Sequence, residues 1–401
     1  MFNGNPPLGL YVHLPWCTRK CPYCDFNSHQ ANSIPENTYV EALLDDLQQD
    51  LPLVWGRSID SIFIGGGTPS LFSGQAIDKL LSGLRALLNF APAIEVTLES
   101  NPGSADAANY VDYRQAGINR LSIGVQSFED AMLAKLGRIH DSSQAKQAFA
   151  LAREAGFDNI NLDLMYGLPE QDADAAIADL TQAIELGPEH ISHYQLTIEP
   201  NTLFHHDPPD GLPDDELAWT QQVACQQLLT EHGYHHYEIS AWCQPGREAE
   251  HNINYWQFGD YLGIGAGAHG KITLVGDNRI LRRVRLRQPK AYLEQQGNGR
   301  LASETDLTSS DLVFEFMLNA LRLKQGFPSR LFHANTGLGF DAIQDGLKNA
   351  QNQGLIEFDG QKIVASELGF RFLNDLQALF LDLKTRQSRP FFESSPGIIH
   401  S

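Results

Sequence analysis

The fold of this chain is decided by one stretch, Leu8-Gly-Leu-Tyr-Val-His-Leu-Pro-Trp-Cys17-Thr-Arg-Lys-Cys21-Pro-Tyr-Cys24-Asp-Phe26. An apolar, strand-like run leads into a loop that carries three cysteines, with three and then two residues between them. Thiolates this close in sequence usually share a metal centre. Four thiolates would complete a zinc site or an ordinary iron–sulfur site, whereas three leave one iron of a 4Fe–4S cluster open to a substrate.

Two alternatives remain for these cysteines: a zinc site, and unrelated thiols in a packed loop. Zinc is disfavoured because no fourth Cys or His follows at the spacing of a zinc finger. Unrelated thiols are disfavoured because isolated cysteines are normally scattered and buried. His13 is close to the loop, but it falls within the strand pattern, so we expect it to pack there.

The composition excludes nucleic acid as a main partner. The chain has 401 residues, 42% of them hydrophobic and 19% charged, which suffices for about two or three domains. Its formal net charge is -20, whereas phosphate binding requires a basic face. The one basic run contains Arg282, Arg283, Arg285, Arg287 and Lys290. Its alternation predicts the solvent face of an edge strand, with an anionic partner or a propionate-bearing ligand as the alternative.

The five cysteines fit a reducing cytoplasm rather than a disulfide framework, and Cys225 and Cys243 have no motif spacing with the loop. Met1 to Pro7 is too short and too polar for a signal peptide. No stretch approaches the ~18 apolar residues that a membrane-spanning helix needs. We therefore expect a cytoplasmic protein without an integral membrane segment, and peripheral membrane association is compatible with this composition.

One unit, a short apolar strand followed by a loop and an amphipathic helix, repeats over the first half of the chain. The predicted strands are Leu8–Leu14, Ile59–Ile64, Ile94–Leu98, Arg120–Val125, Asn159–Met165 and Ile191–Ile198. The predicted helices are Tyr39–Leu51, Ala76–Leu88, Ala107–Ala116, Ser143–Ala155 and Ala173–Leu186, and Gly117, Gly156 and Gly187 are C-cap signals. This alternation predicts an α/β fold with a parallel sheet. Six units are too few for an eight-stranded barrel, and on pattern alone a doubly wound open sheet is the alternative.

Unusual residues stand where the predicted strands end. In parallel α/β folds, ligands bind at the carboxyl ends of the strands. The residues at these ends are the cysteine loop, Gly65-Gly66-Gly67-Thr68, Glu99, Gln126 and Asp163, with Arg138 a short distance after the fourth strand. Three consecutive glycines let the backbone approach a ligand closely. Five strand ends with polar residues, the first of them the cysteine motif, predict a ligand site along this edge of the sheet.

CxxxCxxC directly after a first β-strand is the signature of radical SAM proteins, which this chain resembles. The resemblance implies an open, partial (β/α) barrel of six units and a 4Fe–4S cluster on Cys17, Cys21 and Cys24. It also implies S-adenosylmethionine on the open iron, cleaved by electron transfer to a 5′-deoxyadenosyl radical. The downstream motifs are similar to the coproporphyrinogen-dehydrogenase-like branch. The S-adenosylmethionine contacts carried over from that branch are Tyr11, Gly66, Gly67, Thr68, Glu99, Gln126, Arg138 and Asp163.

These residue types suit the parts of S-adenosylmethionine. Arg138 can pair with the methionine carboxylate as a bidentate fork. Asp163 and Gln126 can bind the ribose hydroxyls, as acidic residues do in other nucleotide sites. The triple-glycine carbonyls can accept from the methionine ammonium, with Glu99 as a compensating charge. Tyr23, between the second and third cysteines, is placed to lie against the adenine.

His251-Asn252-Ile-Asn-Tyr255-Trp256 crowds an imidazole, two amides, a phenol and an indole into six positions. A neutral imidazole is a strong axial ligand for haem iron, and flat aromatic rings suit a porphyrin face. A packed loop is the alternative. HNxxYW at this place resembles the haem-binding motif of the haem-chaperone subgroup, which implies haem contacts by His251, Asn252, Tyr255 and Trp256. His269 is a second haem or structural candidate.

The chain divides into four predicted parts. They are the radical SAM partial barrel over residues 1–205, a smaller α+β extension with the haem motif over 206–305, a winged-helix-like domain over 306–386 and a flexible tail over 387–401. The third part rests on helical patterns at Leu312–Leu323 and Phe340–Gln353, followed by a hairpin with Asp359-Gly360 at its turn. Its acidity favours protein contact, or a role in covering the barrel, over DNA reading.

Two functions follow from the resemblance. One is an oxygen-independent coproporphyrinogen III dehydrogenase, which decarboxylates propionates by radical chemistry. The other is a haem chaperone that passes haem to acceptor apo-proteins, with a cofactor-linked homodimer implied. The chaperone is favoured because Phe26 stands where the dehydrogenases carry a further cysteine, because only sixteen residues precede Cys17, and because HNxxYW is present. We therefore predict a radical SAM haem chaperone without dehydrogenase activity.

Overall fold

The computed structural model describes Phe2 and residues 4–381, except the side chains of residues 104 and 105. Within this part the strands are β1 (Leu8–Leu14), β2 (Trp16–Cys17), β3 (His29–Gln30), β4 (Ser58–Gly66), β5 (Asn89–Ser100), β6 (Arg120–Gln126), β7 (Ile160–Tyr166), β8 (His190–Gln195), β9 (His235–Glu238), β10 (Ala241–Cys243), β11 (Asp260–Ile264), β12 (His269–Leu274), β13 (Arg279–Arg285), β14 (Leu301–Asp306), β15 (Phe327–Pro328), β16 (Ile356–Phe358) and β17 (Lys362–Ala365). The α-helices are α1 (Glu36–Asp50), α2 (Gly74–Leu87), α3 (Ser104–Ala107), α4 (Tyr110–Ala116), α5 (Asp130–Lys135), α6 (Ser142–Glu154), α7 (Ala173–Leu186), α8 (Leu203–His206), α9 (Asp215–Glu231), α10 (Glu250–Trp256), α11 (Pro289–Glu294), α12 (Ser309–Ala320), α13 (Ser329–Thr336), α14 (Asp341–Asn352), α15 (Glu367–Arg371) and α16 (Leu373–Ala378). The tail predicted for residues 387–401 lies outside the described residues.

The main sheet decides between the two predicted architectures. Its strand order is β14-β13-β12-β11-β1-β4-β5-β6-β7-β8-β10-β9. From β1 to β8, each strand of a βα unit lies beside the preceding one and parallel to it, and β11 joins the free side of β1 in parallel. A doubly wound sheet would reverse the direction of strand addition part-way along. The doubly wound alternative is therefore wrong, and the predicted α/β partial barrel is confirmed.

The pleat of β1 separates two environments. Leu10 and Val12 point into the main hydrophobic core, where apolar side chains of α1 and α2 cover them. Tyr11 and His13 point to the opposite side, which we call the inner face of the sheet. Burial on both faces explains why the strands of this half are nearly continuous apolar runs.

Most predicted element ends are confirmed to within a few residues. Gly117 and Gly187 end α4 and α7 in the left-handed conformation, as their C-cap signals predicted. The predicted helix Ala107–Ala116 is broken instead, because α3 ends at Ala107 and α4 begins at Tyr110. Asn109 precedes α4 and makes no side-chain hydrogen bond to the start of that helix.

Arg283 and Arg285 of the basic run are buried on β13, so the predicted solvent face is wrong for these two residues. Arg287 and Lys290 are exposed and lie beyond the end of β13. β13 is not an edge strand, because it lies between β12 and β14. Arg285 is 1% exposed, and it donates from Nε to Asp46 Oδ1 at 2.8 Å and from Nη2 to Asp50 Oδ2 at 2.7 Å. Arg283 also pairs with Asp50. Both acidic partners lie on α1, far away in sequence, which is why the alternation of β13 alone suggested solvent.

The C-terminal part packs around a second hydrophobic core, which also takes in Trp256 of α10 and Ile280 of β13. Phe316 packs edge-on against Phe327 and Phe332, with ring centroids 5.3 Å and 5.2 Å away. The predicted hairpin is confirmed as β16–β17, and Asp359 accepts backbone N–H bonds that close its turn. Among the described residues, no helix is long and apolar enough to cross a membrane.

Candidate functional site

The three cysteines lie on a loop that starts directly after β1. The loop is closed by parallel pairing of β2 with β3, and Cys24 N–H donates to Cys21 O at 3.1 Å within it. The side-chain amide of Asn27 anchors the loop from outside, donating to the carbonyls of Ala266 and Arg287 at 2.9 Å each. The three thiols are therefore held in one fixed segment at the carboxyl edge of the sheet.

Each thiol has a polar neighbour. The contacts are Thr68 Oγ1 donating to Cys17 Sγ (3.4 Å), Ser28 Oγ beside Cys24 Sγ (3.7 Å) and Arg138 Nη1 donating to Cys21 Sγ (3.6 Å). Burial raises the pKa of the Cys17 thiol, and it raises the pKa of Cys24 to about 11. Such thiols become thiolates when a metal displaces their protons. The side chains of Thr68, Ser28 and Arg138 are positioned to donate hydrogen bonds to these thiolates.

A single zinc ion and an iron–sulfur cluster require different arrangements of thiolates. Among the described residues, no three His, Cys, Asp or Glu side chains are close enough together to hold one metal ion. The thiolates of an iron–sulfur cluster each bind a different iron, so they do not need to converge on one point.

The triple glycine brings β4 against the cysteine loop. Gly67 N–H donates to Leu14 O at 2.8 Å, and Thr68 N–H donates to Trp16 O at 2.7 Å. A Cβ on Gly67 would lie 2.5 Å from Trp16 O, so no other residue fits there without a shift of the backbone. The structure thus places Gly66, Gly67 and Thr68 beside the loop, where they were predicted.

Arg138 is fixed beside the cluster loop by two strong hydrogen bonds. Its Nη2 donates to Asn101 Oδ1 and to Gly124 O, both at 2.7 Å, while Nη1 faces Cys21. Asn101 also donates from Nδ2 to Thr68 Oγ1 at 3.1 Å. A fixed guanidinium suits a carboxylate ligand. Asn101 is a site residue that the sequence did not reveal, although Ser100-Asn101 directly follows Glu99.

Two carboxyls are held on β5 and β7. Glu99 is next to the last residue of β5, as predicted, whereas Asp163 lies midway along β7, so its predicted place at a strand end is wrong. Glu99 accepts from Gly66 N–H at 3.0 Å, and burial, followed by the charge of Asp163, raises its pKa to about 8. Asp163 accepts from Ser122 Oγ at 3.0 Å and from Asn161 Nδ2 at 2.8 Å, and burial raises its pKa as well. Carboxyls whose charge is destabilised by burial favour a ligand that brings a positive charge or hydroxyl donors.

Gln126 has a φ of 70°, which is uncommon for a residue with a side chain and often marks a functional site. It stands at an irregularity in the pairing of β6 with β7. Tyr194 hydroxyl donates to Gln126 Oε1 at 2.9 Å, so Tyr194 is a second site residue that the sequence did not reveal. Tyr23 packs with Phe204 and Met165 in an apolar cluster that suits an adenine ring.

Tyr11 joins the cysteine loop to the inner face. Its hydroxyl lies 2.8 Å from His13 Nδ1, and His13 Nε2 lies 2.9 Å from Asn27 O in the loop. Burial lowers the pKa of His13 to about 4, so the ring is neutral near pH 7. His13 is 5% exposed, which confirms that it packs within the strand. The Tyr11 ring stacks towards His251, with centroids 6.4 Å apart.

HNxxYW forms the helix α10, which packs against the inner face at β1 and β4. His251 is 1% exposed, and its ring centroid lies 4.6 Å from that of Phe63 and 4.5 Å from that of Tyr255. Neither ring nitrogen of His251 has a hydrogen-bond partner within the described part of the chain. Burial lowers the pKa of His251 to about 3, so the imidazole is neutral.

The other residues of the motif hold α10 in place. Asn252 Nδ2 donates to the Tyr237 hydroxyl at 3.2 Å. Trp256 belongs to the C-terminal hydrophobic core, with the Arg322 guanidinium 4.2 Å from its ring centroid. His269 lies apart on β12, where burial lowers its pKa to about 3.

Comparisons with known proteins agree with this arrangement. The Radical SAM superfamily model matches residues 11–181, and the HemN C-terminal domain model matches residues 307–372. Heme chaperone HemW of Escherichia coli (strain K12) is 50% identical over 378 residues, which cover 94% of this chain and 98% of that protein. The chain belongs to the HemW family of radical SAM proteins.

Further relatives extend the match. Heme chaperone HemW of Haemophilus influenzae is 48% identical, and the match covers 94% of this chain and 98% of that protein. Heme chaperone HemW of Bacillus subtilis is 33% identical, and the match covers 92% of this chain and 98% of that protein. The solved structure of coproporphyrinogen III oxidase (HemN) from Escherichia coli, a radical SAM enzyme, matches with a TM-score of 0.78 and 25% identity, covering 94% of this chain and 90% of that chain. The resemblance identified from the sequence motifs is confirmed, while the domain boundaries stay predictions.

The structure sorts the predicted site residues into two groups. The first group, at the carboxyl edge, consists of Cys17, Cys21, Cys24, Tyr23, Gly66, Gly67, Thr68, Glu99, Gln126, Arg138 and Asp163. The second group, on α10 at the inner face, consists of His251, Asn252, Tyr255 and Trp256. Tyr11 lies between the groups, because it contacts His13 on one side and faces His251 on the other.

Proposed function

We propose that this chain is a haem chaperone that binds haem through α10 and passes it to acceptor apo-haemoproteins. Cys17, Cys21 and Cys24 would hold a 4Fe–4S cluster, and the remaining carboxyl-edge residues, with Tyr11, would bind S-adenosylmethionine. The relatives named heme chaperone HemW support this proposal over their whole length. We further propose a cytoplasmic location and a homodimer linked through the cofactor.

The residues present fit these cofactors. The cluster and S-adenosylmethionine supply a redox-active iron centre and a sulfonium when they are bound. Arg138 is already oriented beside the loop to receive a carboxylate. Glu99, with its raised pKa, gains from a positive charge next to it, because a cation favours the ionised carboxylate. Tyr23 and its apolar neighbours offer a surface for an aromatic base.

The observation that carries the proposal is the state of His251. A buried polar group without a partner is costly, so a native protein usually keeps one for a reason. His251 has two such nitrogens, and its imidazole is neutral, which is the form that coordinates iron. The neutral, unpartnered imidazole of His251 therefore suits a role as haem ligand better than a role in core packing.

Burial of His251 also sets a condition on the mechanism. A haem cannot reach a side chain that is 1% exposed and enclosed by Phe63 and Tyr255. α10 must therefore move away from the inner face before His251 can bind iron. The movement breaks the hydrogen bond from Asn252 to Tyr237 and presents the imidazole together with the phenol of Tyr255.

We expect His251→Ala to weaken haem binding by roughly tenfold or more, because an iron ligand is removed. The measurement is a haem titration of the anaerobically reconstituted protein by absorbance, with iron and sulfide content determined in parallel. His193→Ala is the matched control, since His193 is also buried, has a pKa lowered to about 3 and packs against an aromatic ring, that of Tyr166. Equal haem affinity of both variants and the wild type would reject His251 as the ligand.

We expect no conversion of coproporphyrinogen III to protoporphyrinogen IX. The match to HemN makes dehydrogenation the second candidate function. Phe26 is 36% exposed on the cysteine loop and supplies no thiol at the position where the dehydrogenases carry one. The assay runs anaerobically with S-adenosylmethionine and a reductant, with porphyrin products separated by chromatography and HemN of Escherichia coli as positive control. Turnover by this chain would favour the dehydrogenase instead.

A further inference from the structure

A series of hydrogen bonds joins α10 to the carboxyl edge of the sheet. From α10 onwards, the bonded atoms are Asn252 Nδ2 to Tyr237 hydroxyl (3.2 Å), Tyr237 hydroxyl to His190 Nε2 (2.8 Å), His190 Nδ1 to Asn161 Oδ1 (2.6 Å) and Asn161 Nδ2 to Asp163 Oδ1 (2.8 Å). Asp163 is half-buried and the other four residues are buried. We call these five residues the polar series.

Chemistry fixes the direction of each hydrogen bond in the polar series. Asn161 Oδ1 accepts from the backbone N–H of Ser192 at 3.0 Å, so the amide nitrogen is the atom that faces Asp163. Because Oδ1 only accepts, His190 Nδ1 carries the proton in the bond to Asn161. Burial holds the pKa of His190 well below its usual range, so the ring is neutral and Nε2 accepts from Tyr237. Every donor therefore points towards Asp163.

Because all the hydrogen bonds point the same way, the strength of the polar series depends on the ionisation of Asp163 and on ligands bound to it. Hydrogen bonds that point the same way polarise one another, and a carboxylate at the end is the strongest acceptor available to them. Ligand hydroxyls that donate to Asp163 favour its ionised form. The ionised form strengthens the bond from Asn161 and, through it, the hold on Asn252 and α10.

We propose that the polar series couples S-adenosylmethionine binding at Asp163 to the position of α10, so that the nucleotide keeps α10 on the inner face and weakens haem binding. His190 and Tyr237 are positioning residues in this device. The inference rests on the proposed function, because it takes α10 as the haem-binding element. By thermodynamic linkage, bound haem weakens S-adenosylmethionine binding by the same factor. Nucleotide binding would then favour release of haem to an acceptor.

The coupling can be tested without haem, by hydrogen exchange of the backbone amides of residues 250–256 in cluster-loaded protein under non-reducing conditions. We expect S-adenosylmethionine to slow this exchange in the wild type. Tyr237→Phe removes one hydroxyl from the polar series and should abolish the effect. Tyr234→Phe is the matched control, because its buried hydroxyl donates to Pro188 O at 2.7 Å, outside the series. Bound nucleotide with unchanged exchange in the wild type, or an equal effect in Tyr237→Phe, overturns the proposal.

A second measurement compares haem affinity with and without saturating S-adenosylmethionine. We expect affinity to fall roughly fivefold or more in the wild type and in Tyr234→Phe, which is the lower range of measured couplings, and to change little in Tyr237→Phe. If the wild type binds haem with the same affinity with and without S-adenosylmethionine, the coupling is overturned while the proposed function stands. Absence of haem binding overturns the proposed function, and hydrogen exchange then still decides whether the polar series links the two sites.

Discussion

Cys24→Ser is expected to yield a protein without an intact 4Fe–4S cluster after anaerobic reconstitution. The cysteine loop supplies three thiolates, so the loss of one leaves a second iron without a protein ligand. A serine hydroxyl is a poor substitute, because soft thiolate is the ligand that iron–sulfur clusters select. Iron and sulfide content per chain, with the visible absorbance of the cluster, measures the effect.

Two cysteines elsewhere in the chain provide the controls for this experiment. Cys225 on α9 and Cys243 on β10 are fully buried, free thiols outside the loop. Cys225→Ser and Cys243→Ser should assemble as much cluster as the wild type when compared at equal folded protein. Wild-type iron content in Cys24→Ser, or its loss in Cys243→Ser, would contradict the assignment of the loop.

Arg285→Met is expected to lower the free energy of unfolding by about 3–5 kcal/mol, the range for breaking a buried ion pair on one side. The substitution removes the hydrogen bonds to Asp46 and Asp50 and leaves both carboxyls buried without this cation. Urea-induced unfolding followed by circular dichroism gives the free energy. Arg279→Ala on the same strand is the control, since Arg279 pairs with Asp277 and Asp306 at the surface and should leave stability close to the wild type.

The difference in free energy of unfolding between the wild type and Arg285→Met should increase as pH rises. Burial raises the pKa of Asp50 above its ordinary 3.8, and the Arg285 guanidinium opposes that rise. Without the guanidinium, the folded protein holds a proton on this carboxyl that the unfolded chain releases, so folding is favoured at acid pH. The variant therefore loses stability as pH rises from the ordinary value through the raised one. A loss of unfolding free energy in Arg285→Met that is larger at pH 5 than at pH 8 would contradict this account.

The sequence predicted the features that depend on local pattern. Apolar runs and helical periodicity located the βα units, and polar residues such as Glu99 and Gln126 marked the strand ends. These signals work because the carboxyl ends of parallel strands must meet at one edge. The cysteine spacing and the family resemblance then supplied the chemistry of that edge.

Features that depend on contacts between distant segments were not predictable in this way. Arg285 and Asp46 are 239 positions apart, so the alternation of β13 could not show that Arg283 and Arg285 are buried. Tyr194 falls within a predicted strand, and its sequence context does not show that its hydroxyl donates to Gln126, 68 positions earlier. HNxxYW indicated the chemistry of α10 but not its place on the inner face, because a motif of six residues carries no information about what covers it.

The anchoring of the cysteine loop has a consequence for biogenesis. Asn27 bonds to Ala266 and Arg287, which lie 239 and 260 positions later in the chain. A ribosome releases the cysteines long before it has synthesised those two carbonyls. During that interval the metal-binding loop exists without its anchors. We therefore expect the loop to hold a cluster stably only after the chain has been synthesised beyond Arg287.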